Sequence, residues 1–402
     1  MSKKTTNTNT LPASLTTTLA GFINGADQQP MVAIGTGHDT KLARQFATRS
    51  PDERFISKQA LYDYTLERKL NSTHGVVNLS RLRCETTEDA KHGRDIVLRL
   101  DGEHTLRFTN WSFGKFTNEI GCFNDLHRVK ATMACDIVNY FLEESKNDDI
   151  GILVNKTDMS LTDVRSETYA TLYDADFVRL SIDRFETFDV PGIFGNAVEI
   201  TKENTTLYAS DRDLFRFISD EVNRIDVPGR RSSPGFAVQD GSLARGVYLW
   251  NSEVGHSTYG LELCMLDGAC QNRQLWGFES LGKLVGRHSK NANEKLLREW
   301  LPLALSYVQQ TPKDVLLRIA DARADRINLK DDLDVSRLRT MVAPLIGVKE
   351  IPLLLTTHEA EEGRPIENRY DLVNGLTAYA KSVVYSDKRS AIERGAGLLM
   401  KP

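Results

Sequence analysis

The sequence is poor in the features that mark secreted and membrane-spanning proteins. It has five cysteines in 402 residues, and no two of them have the close spacing of a common zinc or redox motif. No apolar run is long enough to cross a bilayer, and the amino terminus, MSKKTTNTNT, lacks the apolar core of a secretory signal. We therefore expect buried or incidental thiols and a cytoplasmic location.

A general excess of positive charge is also missing. Lysine and arginine number 51 against 55 acidic residues, for a formal net charge of -4. This balance excludes a protein that is basic over its whole surface, although a local basic face stays possible. Hydrophobic residues at 40% and charged residues at 26% are typical of a globular chain, and the length exceeds that of most single cores.

The distribution of apolar residues predicts an α+β protein with a central, mostly antiparallel sheet and a helical carboxy-terminal part. Residues 1–28 are rich in threonine and asparagine and are predicted to form a disordered tail. An amino-terminal α+β segment follows at 29–150. The remaining chain, 151–402, is divided into a sheet region at 151–276 and a helical region at 277–402.

Several local patterns support this division. Residues 95–108, DIVLRLDGEHTLRF, alternate on both sides of Asp101-Gly102 and predict a tight hairpin. Helical spacing predicts a helix of about five turns from Asn124 and a last helix at about 367–385. Strands are predicted from three apolar runs, namely GILVN at 151–155, FVRLSI at 177–182 and GVYLW at 246–250.

A basic and aromatic region lies between residues 228 and 290. Guanidinium and ammonium groups that could contact phosphates are interleaved with rings that could stack on bases, the combination used by proteins that bind single strands. The predicted phosphate contacts are Arg230, Arg231, Arg245, Arg273, Arg287 and Lys290. The predicted stacking rings are Trp250 and Trp276.

No motif in the sequence indicates a catalytic residue. Its acidic runs are those of solvated faces and helix caps, and no serine, histidine and aspartate set has the glycine-flanked turn of an acyl-transfer nucleophile. We therefore expect no cofactor and no metal site.

Four stretches resemble an uncharacterised family of phage and plasmid-like proteins. They are VRSETY at 164–169, LYASDRDLFRF at 207–217, RGVYLWNSEVG at 245–255 and the stretch from NGLTAYA to IERGAG at 374–397. The resemblance implies a mobile-element setting, in which proteins often handle DNA. It carries over no catalytic residue.

The most distinctive stretch of the resemblance is the polar turn formed by Asn251, Ser252, Glu253 and Gly255. One interpretation is structural: Gly255 allows the bend, while Asn251 and Ser252 satisfy its backbone amides. The other is direct contact with a ligand. Glu253 is expected either to pair with Arg245 or to lie at the rim as a solvated charge.

The leading functional hypothesis is a mobile-element protein that binds single-stranded DNA in recombination or replication, as strand-annealing proteins that form rings do. A metal-dependent enzyme acting on nucleic acid is one alternative. A non-catalytic assembly or counter-defence protein is another. A homo-oligomer is compatible with all three.

Overall fold

A computed structural model describes residues 52–400 with these exceptions: 56–57, 90–92, 124–125, 127, 146–147, 166–168, 186–206, 210–211, 220–224, 228–241, 268–272, 275–282 and 289–312. The predicted tail at 1–28 lies outside the described residues. In the described part of the chain, every helix is too short or too polar to span a membrane.

The described strands divide into two sheets. In chain order they are β1 (Glu53–Phe55), β2 (Ser72–Asn78), β3 (Leu82–Asp89), β4 (Gly93–Leu100), β5 (His104–Phe108), β6 (Asp149–Asn155), β7 (Ser160–Arg165), β8 (Leu207–Ala209), β9 (Leu214–Ser219), β10 (Ile225–Asp226), β11 (Ser242–Asn251), β12 (Tyr259–Asp267), β13 (Arg273–Gln274) and β14 (Lys283–Gly286).

The described α-helices surround these sheets. They are α1 (Lys58–Asn71), α2 (Asn110–Glu119), α3 (Ala131–Glu144), α4 (Asp174–Phe185), α5 (Lys313–Ala324), α6 (Asp332–Ile346), α7 (Ile351–Glu362), α8 (Arg369–Lys381) and α9 (Ser386–Leu398).

The amino-terminal sheet has the order β2-β6-β7-β5-β4-β3, and all of its pairs are antiparallel except β5 with β7. The predicted hairpin is confirmed as β4 and β5, since Asp101 and Gly102 both have positive φ at the turn. Alternate residues of these strands, such as Leu98 and Leu106, point to one face and pack with Phe113 and Phe116 of α2. We call this the inner face, and the opposite one the outer face.

The start of α2 is fixed by a local cap. Thr109 accepts a hydrogen bond from the Ser112 backbone N–H at 3.0 Å, and the Ser112 hydroxyl accepts one from the Thr109 backbone N–H at 2.9 Å. The cap sets the helix phase, so that Phe113 and Phe116 face the core while Trp111 and Lys115 are only partly buried.

The central sheet has the order β1-β8-β9-β11-β12-β13, with β10 beside β11 and β14 beside β12, and its pairs are antiparallel. Val247 and Leu249 of β11 pack with Leu61 of α1 and Phe177 of α4. Leu243 and Met265 pack with residues of the carboxy-terminal helices, among them Leu372 and Leu376 of α8. The α+β class with a helical carboxy-terminal part is therefore confirmed.

Three details of the sequence prediction are wrong. Residues 177–182 belong to α4, in which Ala175, Val178 and Ser181 are buried at helical spacing. The helix predicted from Asn124 begins at Ala131. The division at 150 cuts through β6, which pairs with β2 and β7 in the amino-terminal sheet.

The prediction of buried thiols is confirmed for the four cysteines that the structure describes. Cys84, Cys122, Cys135 and Cys264 are free and buried, and Cys270 lies outside the described residues. At the carboxy terminus, the predicted last helix corresponds to α8, and it is followed by α9, which was not predicted.

Candidate functional site

Most of the predicted DNA-binding side chains cannot be followed in the structure. Arg230, Arg231, Trp276 and Lys290 lie outside the described residues, and for Arg273 only the backbone of β13 is described. The side chains of the remaining predicted members, Arg245, Trp250 and Arg287, are described.

Trp250 does not offer a stacking surface. Its side chain on β11 is 6% exposed, and the Arg394 guanidinium of α9 lies 5.0 Å from the ring centroid. The backbone of Gly260 also lies close to the ring, since a Cβ added at Gly260 would come within 2.2 Å of it. The expected exposed indole at this position is wrong, because the strand direction points Trp250 at α9.

The remaining two cations differ in exposure. Arg245 of β11 is partly buried, whereas Arg287, just after β14, is exposed. Within the described residues, then, the predicted set offers one exposed cation, one partly buried cation and one buried ring, and the basic groove as a whole stays a prediction.

The distinctive turn at 251–255 is buried and supports its neighbours. The Asn251 amide donates to the Leu172 carbonyl at 2.9 Å and to Asp174 Oδ1 at 2.7 Å. The Ser252 hydroxyl donates to the Arg212 carbonyl at 2.6 Å and accepts from the His256 backbone N–H at 2.9 Å. Ser252 therefore satisfies a backbone amide of the turn as the structural interpretation expects, whereas Asn251 has a structural role of another kind and ties the turn to the start of α4.

Glu253 is 3% exposed, so it is not a solvated charge at the rim. It also does not pair with Arg245, the other expectation. One of its oxygens accepts a hydrogen bond from Arg68 Nη2 at 2.8 Å, and the other accepts from the Asp174 backbone N–H at 3.2 Å. Since Asp174 is the first residue of α4, the carboxylate also lies at the positive end of a helix. Burial, together with the Glu253 charge, raises the pKa of Asp174 well above its usual range.

Gly255 is required at the end of this turn for two reasons. Its φ of +68° lies in the left-handed region, and a Cβ there would come within 2.9 Å of the Tyr169 hydroxyl oxygen. Tyr169 therefore packs directly on the turn backbone.

The turn also joins the two sheets. The Val254 carbonyl accepts hydrogen bonds from Trp111 Nε1 and from Lys115 Nζ, each at 3.2 Å. Lys115 also pairs with buried Asp163 of β7 at 2.7 Å. We call this contact between α2, β7 and the turn the junction.

Two histidines border the junction. His256 Nδ1 lies 2.9 Å from Asp213 Oδ2, and the imidazole of His256 packs edge-on against Trp111. Burial, aided by the positive charges of Arg165 and Lys115, lowers the pKa of His288 to about 4. His288 is therefore a neutral imidazole at physiological pH, and its ring packs against Tyr169 and Tyr259.

The junction has the density of polar groups that functional sites often have, but its charges are largely paired within the protein. Among the residues that the structure describes, no group of three or more histidine, cysteine, aspartate or glutamate side chains could hold a metal ion.

A different set of three cations lies on one face of a sheet, two of them exposed and one partly buried. Arg83 of β3, Arg99 of β4 and Arg107 of β5 all lie on the outer face of the amino-terminal sheet, because their chain neighbours belong to the inner core. Arg83 is directly opposite Arg99 in the β3–β4 register. Arg107 is opposite Val97 and therefore diagonal to Arg99. We call these three residues the arginine row.

Few acidic side chains of the protein neutralise the positive charges of the arginine row. Arg99 bonds to Glu85 at 3.2 Å and to the Thr105 hydroxyl. Arg83 and Arg107 are exposed, and no described side chain forms an ion pair or hydrogen bond with them. Like charges directly opposite each other destabilise a sheet, and Glu85 compensates only Arg99, so a bound anion would make the placement of Arg83 beside Arg99 more favourable.

Sequence reasoning missed the arginine row although a signal was present. In the predicted hairpin the apolar residues Leu98, Leu100 and Leu106 alternate with Arg99 and Arg107, so both arginines had to share one face. Arg83 could not be added, because its register with β4 depends on strand pairing that the sequence does not specify.

Comparisons with known protein families, curated proteins and solved structures find no match to this chain. The family resemblance of the four stretches therefore stays a prediction.

Proposed function

We propose that this protein binds single-stranded DNA and that the arginine row contacts its phosphates. The observation that carries the proposal is the placement of Arg83, Arg99 and Arg107 on three adjacent strands, with two of them unpaired among the described residues. Neutralising phosphates releases condensed counterions, and this is the main source of affinity in non-specific nucleic-acid binding.

The dimensions of the row favour a polymer over a small anion. Neighbouring strands are about 4.8 Å apart, so β3 and β5 are separated by roughly 10 Å. In duplex DNA each strand has one phosphate for about every 3.4 Å of helix axis, and a single strand outside that stacked helix spaces its phosphates more widely. The row is therefore too long for one small anion and long enough for its three arginines to contact successive phosphates of a strand.

The biological setting is part of the same proposal. The resemblance to phage and plasmid-like proteins supports a role in the recombination or replication of a mobile element, with strand annealing as the step that single-strand binding would serve. The location in the host cytoplasm rests on the same resemblance. A metal-dependent nucleic-acid enzyme gains no support from the described residues, which contain no candidate metal cluster.

The test is a salt titration of binding to a fluorescently labelled single strand, followed by anisotropy. Each phosphate contact to a single strand contributes about 0.7 to the slope of log affinity against log salt, so three contacts contribute about 2. The triple variant Arg83→Ala, Arg99→Ala and Arg107→Ala should lose this amount of slope and most of its affinity at about 50 mM salt.

A matched control removes the same charge elsewhere. Lys330, Arg339 and Lys349 are exposed on the carboxy-terminal helical part, and their triple alanine variant should bind like the wild type. Equal losses in both variants would mean that net charge alone matters and would contradict the assignment. Absence of wild-type binding at low salt would overturn the proposal, and equally tight duplex binding would overturn its single-strand part.

A further inference from the structure

The two edges of the amino-terminal sheet differ in how far other described residues cover them. The sheet ends at β2 on one side and at β3 on the other. Edge strands present unpaired backbone N–H and C=O groups, which can pair with another chain unless they are covered or guarded by charge.

The β3 edge is occupied by a side chain. Asn139 of α3 accepts a hydrogen bond from the Cys84 backbone N–H at 2.8 Å and donates one to the Cys84 carbonyl at 2.9 Å. A carboxamide that bonds to both backbone groups of one residue imitates the next strand of a sheet. Edge pairing at β3 would have to displace this amide.

No described residue covers the β2 edge in a comparable way. In the described part of the chain, β6 is the strand that pairs with β2, and it does so over all seven residues without a register shift. Residues 73–76 are exposed, and the exposed fraction of Val76 is 56%. The strand STHGVVN contains no lysine, arginine, aspartate, glutamate or proline, which are the residues that usually prevent edge pairing.

We propose that β2 pairs antiparallel with β2 of a second copy of this chain, so that two amino-terminal sheets form one continuous sheet. A second copy fits this edge because an uncharged strand meets no like-charge repulsion from its own copy. A two-fold axis perpendicular to the sheet produces an antiparallel pair in which each strand contacts the same residues of the other. The exposed Thr73 and Val76 are β-branched and pack well in such a pair.

The arrangement would also place the two arginine rows on the same side of the joined sheet, one towards each of its ends. The row lies on β3 to β5, away from the β2 edge, so pairing through β2 leaves it open. A two-fold axis perpendicular to the sheet keeps both outer faces on one side. This last consequence rests on the proposed function, whereas the β2 pairing itself does not.

The experiment measures the mass of the full-length protein in DNA-free buffer by analytical ultracentrifugation over a range of concentrations. The wild type is expected to form dimers. In the variant Val76→Lys each copy brings one positive charge to the paired β2 strands, and the two charges repel each other. The dimer dissociation constant should therefore rise by about tenfold or more. A wild type that is monomeric at every concentration would overturn the proposal.

The matched control is Leu333→Lys, which introduces the same charge at a different exposed apolar residue, 82% exposed on α6. It should dimerise like the wild type. If Val76→Lys dimerises equally well, β2 is not the interface and the proposal fails. Hydrogen exchange gives an independent readout, since the amides of β2 should become protected as wild-type concentration rises, while those of Val76→Lys should not.

Far-UV circular dichroism and thermal melting show whether Val76→Lys is folded. Because DNA is absent, the outcome does not depend on the arginine row. Loss of DNA binding by the triple arginine variant with an intact dimer would support both proposals separately.

Discussion

Two pairs of arginines, one pair at each sheet, have opposite surroundings. In the central sheet, Arg216 of β9 is 2% exposed, and burial lowers its pKa to about 9. In the same region, Arg394 packs against Tyr248 and Trp250 and pairs with Glu262. In the amino-terminal sheet, Arg83 and Arg107 are exposed and have no described partner. The number of cations in a segment therefore does not predict whether they can bind an anionic ligand. Their exposure, which depends on the face of the strand on which they lie, is the better guide.

The largest effect expected from this comparison is at Trp250. Replacing Trp250 with alanine removes a buried ring beneath Arg394 and should lower the free energy of unfolding by about 3–5 kcal/mol. Urea denaturation measures the loss, and Trp250→Phe is the control because it keeps a ring and should cost less. A variant of unchanged stability but with lost DNA affinity would restore the stacking role that the structure argues against.

The next effect concerns the buried ion pair beneath the turn. Glu253→Ala leaves Arg68 without this partner and should lower the free energy of unfolding by about 3 kcal/mol. The comparison is Arg81→Ala, which breaks the exposed pair with Asp101 without altering the positive-φ residue of the turn and should cost much less. Similar values for the two variants would show that the junction is more hydrated than its packing indicates.

His288 should make stability depend on pH. Its folded pKa of about 4 is below the ordinary value of 6.5, so the unfolded chain binds a proton first as pH falls. Stability should decline between about pH 6.5 and pH 4, by roughly 2 kcal/mol after allowance for the partial exposure of the ring. Denaturation at several pH values checks this.

The control for His288 is His288→Gln, which has no proton to gain in that range. Its stability should change less between pH 6.5 and pH 4 than that of the wild type. His74 also has a lowered pKa, from burial and from the Arg165 charge, so some dependence should persist in the variant. Identical pH profiles would mean that His288 is not shielded from water.

The smallest effect on stability is expected at a single member of the arginine row. Arg83→Ala should change the free energy of unfolding by no more than about 0.5 kcal/mol, because the side chain is exposed and unpaired among the described residues. Its salt slope for single-stranded DNA should fall by about 0.7. A large loss of stability with unchanged DNA binding would mean that Arg83 supports the fold, as the buried arginine of the central sheet does, and does not contact DNA.

Local chemistry allowed part of this fold to be predicted. The Asp101-Gly102 turn and the alternation around it specify the β4–β5 hairpin, and the apolar runs at 151–155 and 246–250 are indeed strands. The run at 177–182 was misread because six residues cannot separate a strand from a buried helix segment. A window that includes Ala175 and Val178 shows the helical period.

The candidate site was harder to predict because it depends on long-range pairing. Glu253 is 185 positions from its partner Arg68, and nothing near either residue indicates the other. Trp250 was read correctly as a strand residue, but the sequence could not show that α9 covers that face of the sheet. Both errors concern tertiary contacts, which outweigh local composition.

The pairing of β2 with β6 governs the order in which the amino-terminal sheet can assemble during synthesis. The neighbours β3, β4 and β5 form a local meander, but β2 must wait until β6, more than 70 residues later, has left the ribosome. Until then, the growing chain carries an incomplete sheet with a partly open core. Nascent chains stopped before residue 149 should therefore be the form most in need of a chaperone.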